Sequence, residues 1–177
     1  MFRSAGYATT TVEAIAVSAE VSAKTVEAAF GSKRGLLAAL VDPLTTAGPP
    51  RDVVDQLRQA EDPRHRLRLV AELCRRAYEA SVPEFEFMRG GAGIAPEIAA
   101  AARQVDGRRR ANQANLISHL REHRQLRDDL PPEEALDIVW ALTGYDMYRA
   151  LVGEQRWPAE KYQDWLAGVL TITLLGT

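Results

Sequence analysis

Residues 6–37 read GYATTTVEAIAVSAEVSAKTVEAAFGSKRGLL, and the fold turns on this stretch. Gly6 suits a left-handed helix end, and Tyr7 can supply the hydrophobic contact that goes with it. Thr10 and Glu13 have T-x-x-E spacing, a capping box that would start a helix at Thr11. Val12, Ile15 and Ala16 would form its inward face. A tight turn is expected at residues 19–21, with a valine buried inside it. Ser22 is placed to cap a second short helix, with Val26 and Phe30 pointing inward. Gly31 stops that helix, and Ser32 caps the next. Two short capped helices joined by a tight turn describe a helix-turn-helix.

The outer face of the second helix is the part that would enter a major groove. Ser22, Ala23, Lys24, Thr25, Glu27 and Ala28 are short or polar. Short side chains let a helix approach base edges, and serine and threonine can contact phosphates or bases. Lys24 can reach a phosphate or a guanine, and Glu27 could accept from cytosine N4.

Outward from this motif, the chain has 177 residues, enough for a small domain joined to a larger one with its own core. Apolar residues make up 46% and charged residues 26%, the balance of an ordinary globular protein. One cysteine, Cys74, excludes an internal disulfide and fits a reducing, cytoplasmic setting. No apolar run approaches the length of a membrane span, and no signal-peptide core follows Met1. A net charge of −2 excludes binding to nucleic acid through bulk charge, so any DNA reader must be local.

The fold class expected is all-α, because apolar residues recur at spacings of three and four and no segment alternates at period 2. Gly48-Pro49-Pro50 is the clearest punctuation and sets the expected boundary between residues 1–45 and 51–177. Beyond it, one helix should run from about Arg51 to Ala60. A second should open at Asp62-Pro63 and be interrupted at Ser81-Val82-Pro83. A short helix near residues 84–89 and a glycine loop at 90–93 follow. A long helix is predicted from Pro96 to about His123, with Arg108-Arg109-Arg110 as a solvated face. Pro132 should start a helix reaching about Gly153, and Pro158 a last one ending near Leu175.

The run Gly-Tyr-x-x-Thr-Thr-Val-x-x-Ile-Ala, then Val-Ser-x-x-Thr-Val, then Phe-Gly-Ser-Lys-x-x-Leu-Leu resembles the TetR family over residues 2–45. The resemblance implies an N-terminal DNA reader joined to a larger helical domain that dimerises and senses a small molecule. It implies that Ser22, Lys24 and Thr25 lie near DNA, and that Thr10 and Lys33, at helix N-termini, meet phosphates. It also implies a multi-turn helix before Gly6. Residues 1–5 would be only its end, so the chain is expected to be shortened there. Three residues depart from the family pattern or weaken phosphate attraction. Glu20 stands where a turn glycine is usual, Glu27 follows the Thr-Val pair where tyrosine is usual, and Ala29 stands where histidine or tyrosine is common. Residues 1–45 carry Arg3, Lys24, Lys33 and Arg34 against Glu13, Glu20, Glu27 and Asp42, a neutral reader.

In the larger domain, the last two helices are expected to pair with their copies in a homodimer. Two readers would then lie about 34 Å apart on a pseudo-palindromic operator. Candidates for a sensing site are Leu73, Tyr78, Phe85, Met88, Leu116, Trp140 and Tyr145. No cofactor is expected, no metal set is completed around His65, His119 and His123, and no catalytic constellation points to an enzyme. The function expected is a ligand-responsive repressor. The rival is a helical dimer that binds a small molecule or protein without reading DNA.

Overall fold

The computed structural model describes residues 9–46, 49–91, 93 and 95–175, and among these there is no strand. The helices are α1 (Val12–Ser18), α2 (Ala23–Phe30), α3 (Lys33–Thr46), α4 (Arg51–Gln59), α5 (Pro63–Gly91), α6 (Pro96–Glu122), α7 (Pro132–Leu142), α8 (Tyr145–Tyr148) and α9 (Ala159–Leu175). A π-helical turn, Arg149–Glu154, follows α8. The all-helical class read from the sequence is the class observed. The expectations for Gly6, Tyr7 and the helix before them lie outside the described residues.

The chain divides into two compact units: Met1–Ala47 with Ser81–Gly107, and Gly48–Ala80 with Arg108–Thr177. The first contains the reader. Leu37 of α3 is fully buried in a cluster with Phe87, Met88, Ala95, Ile98 and Ala101, and Leu40 and Phe85 pack against it. Gly91 and Ile98 approach so closely that a Cβ on Gly91 would lie 2.3 Å from Ile98 Cδ1. The expected loop at 90–93 is therefore helical through Gly91, where the absent side chain makes room for isoleucine.

The second unit is built on the long helices. Asp62 caps α5, its carboxylate accepting from the His65 N–H at 2.9 Å and the Arg64 N–H at 3.2 Å. Val53, Ala60 and Leu69 form one buried cluster, with Leu57 and Leu73 against it. On α9, Tyr162, Leu166, Leu170 and Leu174 repeat every four residues and are all fully buried, the stripe an amphipathic helix presents to a core. Arg66 is buried as well, and its guanidinium donates to the Ala60 carbonyl at 2.6 Å, satisfying the end of α4.

Two helices depart from the regular course. Within α5, Ser81 has φ −138° and ψ 24°. Pro83, two residues on, accounts for the break, since proline lacks an N–H and its ring clashes with the preceding turn. The single helix expected from Pro132 to about Gly153 is three segments instead. The Thr143 hydroxyl donates back to the Val139 carbonyl at 2.7 Å, and Gly144 is extended at φ −72°, ψ 152°. Such back-bonding competes with helix continuation.

Candidate nucleic-acid interface

The first reader helix is capped one residue later than its T-x-x-E spacing suggests. Thr11, not Thr10, is the N-cap, and its Oγ1 accepts from the Ala14 N–H at 3.1 Å. Glu13 accepts its own backbone N–H and the Thr11 hydroxyl, and both hold its carboxyl below the usual carboxylate range. Thr10, expected at a phosphate, is only 2% exposed, and the threonine facing solvent at this helix start is Thr11. Ala16 is buried, with Val12 and Ile15 half-buried beside it. The turn then passes through Glu20 at φ 55°, a left-handed residue with a side chain. The Val21 N–H reaches back to the Ala16 carbonyl at 3.0 Å.

Ser22 caps α2 as expected. Its Oγ accepts from the Thr25 N–H at 3.0 Å and lies 2.8 Å from Thr25 Oγ1. Val26 is buried. Gly31 ends the helix at φ 71°, its N–H on the Glu27 carbonyl at 2.7 Å. Ser32 Oγ accepts from the Gly35 N–H at 3.1 Å and so caps α3. Gly35 passes against the last turn of α2, and a Cβ there would lie 1.8 Å from the Phe30 carbonyl oxygen. The sequence reading missed this requirement; a glycine in the first turn of a helix was its only trace.

Two apolar residues are more open than expected. Phe30, assigned inward, is 42% exposed, and Val21, assigned to the turn's interior, is 43% exposed. Helices of seven and eight residues share a short common face, which closes around Ala16 and Val26 and leaves their ends uncovered. Ser22, Lys24, Thr25, Glu27 and Ala28 are exposed, Ala23 and Lys33 half-buried. The cap fixes the start of α2, so the exposed set sits on a rigid, preformed helix face.

The residues suggested for sensing fall into separate places. Phe85 and Met88 belong to the reader's unit, packed with Leu37 and Ile98, and Leu73 lies beside Val53 and Leu69. Tyr78, Trp140 and Tyr145 belong to one polar and aromatic interior in the other unit. Leu116 is buried in that unit. Tyr78 OH donates to the Thr143 carbonyl at 2.5 Å, and its ring centroid lies 5.4 Å from that of Tyr145 and 5.5 Å from that of Tyr148. Tyr148 in turn meets Tyr162 edge-on at 5.1 Å.

Arg109 enters this interior, correcting the solvated-face reading of Arg108-Arg109-Arg110. Successive helical residues point about 100° apart, so the three cannot share one face. The Arg109 guanidinium lies 3.5 Å from the centre of the Trp140 ring and donates to the Trp140 carbonyl at 2.8 Å. Arg110 instead pairs with Asp137 at 2.8 Å. Burial pushes the Cys74 thiol up to about 12, against a smaller opposing effect of Arg109, so it is no nucleophile at neutral pH. Burial also pushes the Tyr162 phenol well above its ordinary range. His119 and His123 stack at 4.0 Å. Desolvation lowers the His119 pKa, with Arg66 and His123 adding to it. Among the described residues no group of three potential ligands could hold a metal ion, and no helix is long and apolar enough to cross a membrane.

An all-helical chain with a capped helix-turn-helix at its start has the build of a DNA-binding transcriptional regulator. Residues 1–40 match the model of the bacterial regulatory proteins of the tetR family. No curated protein sequence matches the chain. Solved structures share its fold. PfmR, a TetR-family regulator from Thermus thermophilus, is 21% identical, with a TM-score of 0.68 over 99% of this chain and 90% of that one. A putative transcriptional regulator from Saccharomonospora viridis, solved with choline, is 20% identical, with a TM-score of 0.73 over 98% and 91%. The ketosteroid transcriptional regulator KstR2 of Mycobacterium tuberculosis is 23% identical, with a TM-score of 0.64 over 96% and 87%.

Proposed function

We propose that this protein is a ligand-responsive repressor that binds a pseudo-palindromic operator as a homodimer. The observation that carries the DNA-reading half is the Ser22-capped helix α2, which holds Lys24 and Thr25 exposed on one preformed face. Ser22, Ala23, Lys24, Thr25, Glu27 and Ala28 are assigned to the groove-facing surface, and Lys33, at the start of α3, to a phosphate. Thr10 is buried, so Thr11 takes its proposed phosphate contact.

Pairing is assigned to the last helices. Trp165, Val169 and Ile172 follow one another at spacings of four and three along α9, on one side of the helix. Ile172 is 61% exposed, and the other two are half-buried. Such a stripe, opposite the buried Leu166–Leu170–Leu174 face, suits an isologous contact with a second copy. Sensing is assigned to the aromatic interior of the same unit. One putative regulator of this fold solved in complex with choline, and another that is a ketosteroid transcriptional regulator, support that reading. An effector acts here by binding one arrangement of the dimer better than another.

The test is a gel shift against DNA flanking the protein's own gene, at low and at physiological salt. Lys24→Ala and Thr25→Ala should each weaken specific binding by about 1–3 kcal/mol. Exposed Glu27 and the neutral charge of residues 1–45 favour the rival reading, a helical dimer that does not read DNA. Wild-type affinity retained by both variants would remove α2 as the reader, and no shift at either salt would leave the rival.

A further inference from the structure

Two polar atoms in the interior of the second unit are buried and have no hydrogen-bond partner among the described residues. They are Gln113 Oε1 and Tyr162 OH. Gln113 is 6% exposed and Tyr162 0%. The chemistry fixes which end of the Gln113 amide is left over. Thr143 Oγ1 has one hydrogen and gives it to the Val139 carbonyl. It can therefore only accept from Gln113, 2.6 Å away, so the Gln113 atom there is Nε2 and the acceptor Oε1 remains. Tyr78 does not supply the missing donor, because its hydroxyl is given to the Thr143 carbonyl.

Both atoms belong to one neighbourhood. Arg109 reaches within 3.5 Å of Thr143 Oγ1, the atom Gln113 holds, and its charge is felt at the Tyr162 phenol. Rings of Tyr78, Tyr148 and Tyr162 run in contact from Thr143 to Tyr162. Two departures from α-helical geometry bracket the same residues. The break at Thr143–Gly144 precedes Tyr145, and the π turn begins directly after Tyr148. π-helical turns are frequent at functional sites.

We infer that this interior is the effector site, and that it takes an uncharged ligand with a ring or short apolar body and a hydroxyl group, donating to Gln113 Oε1 and accepting from Tyr162 OH. The inference rests on the sensing half of the proposed function. Charge selection follows from the groups present. A carboxylate is drawn by the Arg109 charge but offers Gln113 Oε1 only lone pairs, leaving that acceptor unsatisfied. An ammonium could donate to it but would meet the fixed positive charge of Arg109. An uncharged hydroxyl satisfies both orphan atoms, and the tyrosine faces accommodate the rest.

The test uses the full chain and three ligands with one ring: benzyl alcohol, benzoate and benzylammonium. Melting temperature and tryptophan fluorescence are followed as each is titrated. Benzyl alcohol should raise the melting temperature and give a saturable fluorescence change, and the two ions should do neither. Gln113→Leu and Tyr162→Phe should each weaken benzyl alcohol about tenfold. Tyr162→Phe should melt, ligand-free, at or above the parent, because it removes only an unpartnered buried polar atom, whereas Gln113→Leu also loses the bond to Thr143. Benzoate binding better than the alcohol, no saturable response, or an unchanged response in both variants overturns the assignment. Ligand-free melting lowered in Tyr162→Phe also overturns it, since its hydroxyl would then have a structural partner. The gel shift is read separately. If it fails, the regulator reading is lost, while the titration still decides the site.

Discussion

Glu20 occupies the turn between α1 and α2 at φ 55°, in a region that costs a residue with a Cβ roughly 1–2 kcal/mol. Glycine has no such penalty but loses more freedom on folding. Glu20→Gly should therefore stabilise the protein by about 1 kcal/mol, seen as a higher urea midpoint at an unchanged m-value. An unchanged or lower midpoint would mean that the turn holds the glutamate without strain. Gly35 is the opposite case. A Cβ there would stand 1.8 Å from a backbone oxygen, which cannot swing aside as a side chain could. Gly35→Ala should cost about 1–3 kcal/mol in the same titration, and a parent-like midpoint would contradict the close approach of α3 to Phe30. The two positions were not equally legible. The left-handed turn could be anticipated at Glu20, because the motif fixes its place. Gly35 could not, because its constraint comes from a carbonyl five residues earlier.

At the scale of elements, most starts were legible, the Thr11 cap of α1 excepted, and interiors were not. Ser22, Ser32 and Asp62 cap helices because a short side-chain oxygen reaches an N–H two or three residues on, a local event. Pro83 disturbs α5 for an equally local reason. The end of α7 is different. It depends on the Thr143 hydroxyl choosing the Val139 carbonyl, and on Arg109, more than thirty residues earlier, donating to the Trp140 carbonyl. A cation at a helix C-terminus is favourable, and here it also stacks on an indole. Arg109→Leu should lower stability by about 1.5–3 kcal/mol, the range for a hydrogen bond to a charged group. Thermal unfolding checks this, and Arg108→Leu serves as the control for loss of charge alone. Equal effects of the two would put Arg109 back on the solvent side.

For the whole molecule, the proposed function depends on pairing. The Ile172 stripe on α9 is the surface assigned to a second copy. Ile172→Asp should shift the protein from dimer to monomer in light scattering while its helical circular dichroism is kept. Specific operator binding should fall with it, because a lone reader loses the second half-site. A dimer that survives the substitution would place the interface elsewhere. The sequence by itself determined the all-helical class, the helix-turn-helix with its Ser22 and Ser32 caps, and the tetR-family likeness of the reader. Each follows from interactions within a few residues, or from spacing along one helix. Only the tertiary structure decided that Thr10 is buried and Thr11 exposed, that Arg109 turns inward, and that Phe85 and Met88 pack with the reader's unit. It alone left Gln113 Oε1 and Tyr162 OH without partners among the described residues. Those outcomes depend on which distant residues share an interior, and helical periodicity marks an inward face without naming what that face will meet.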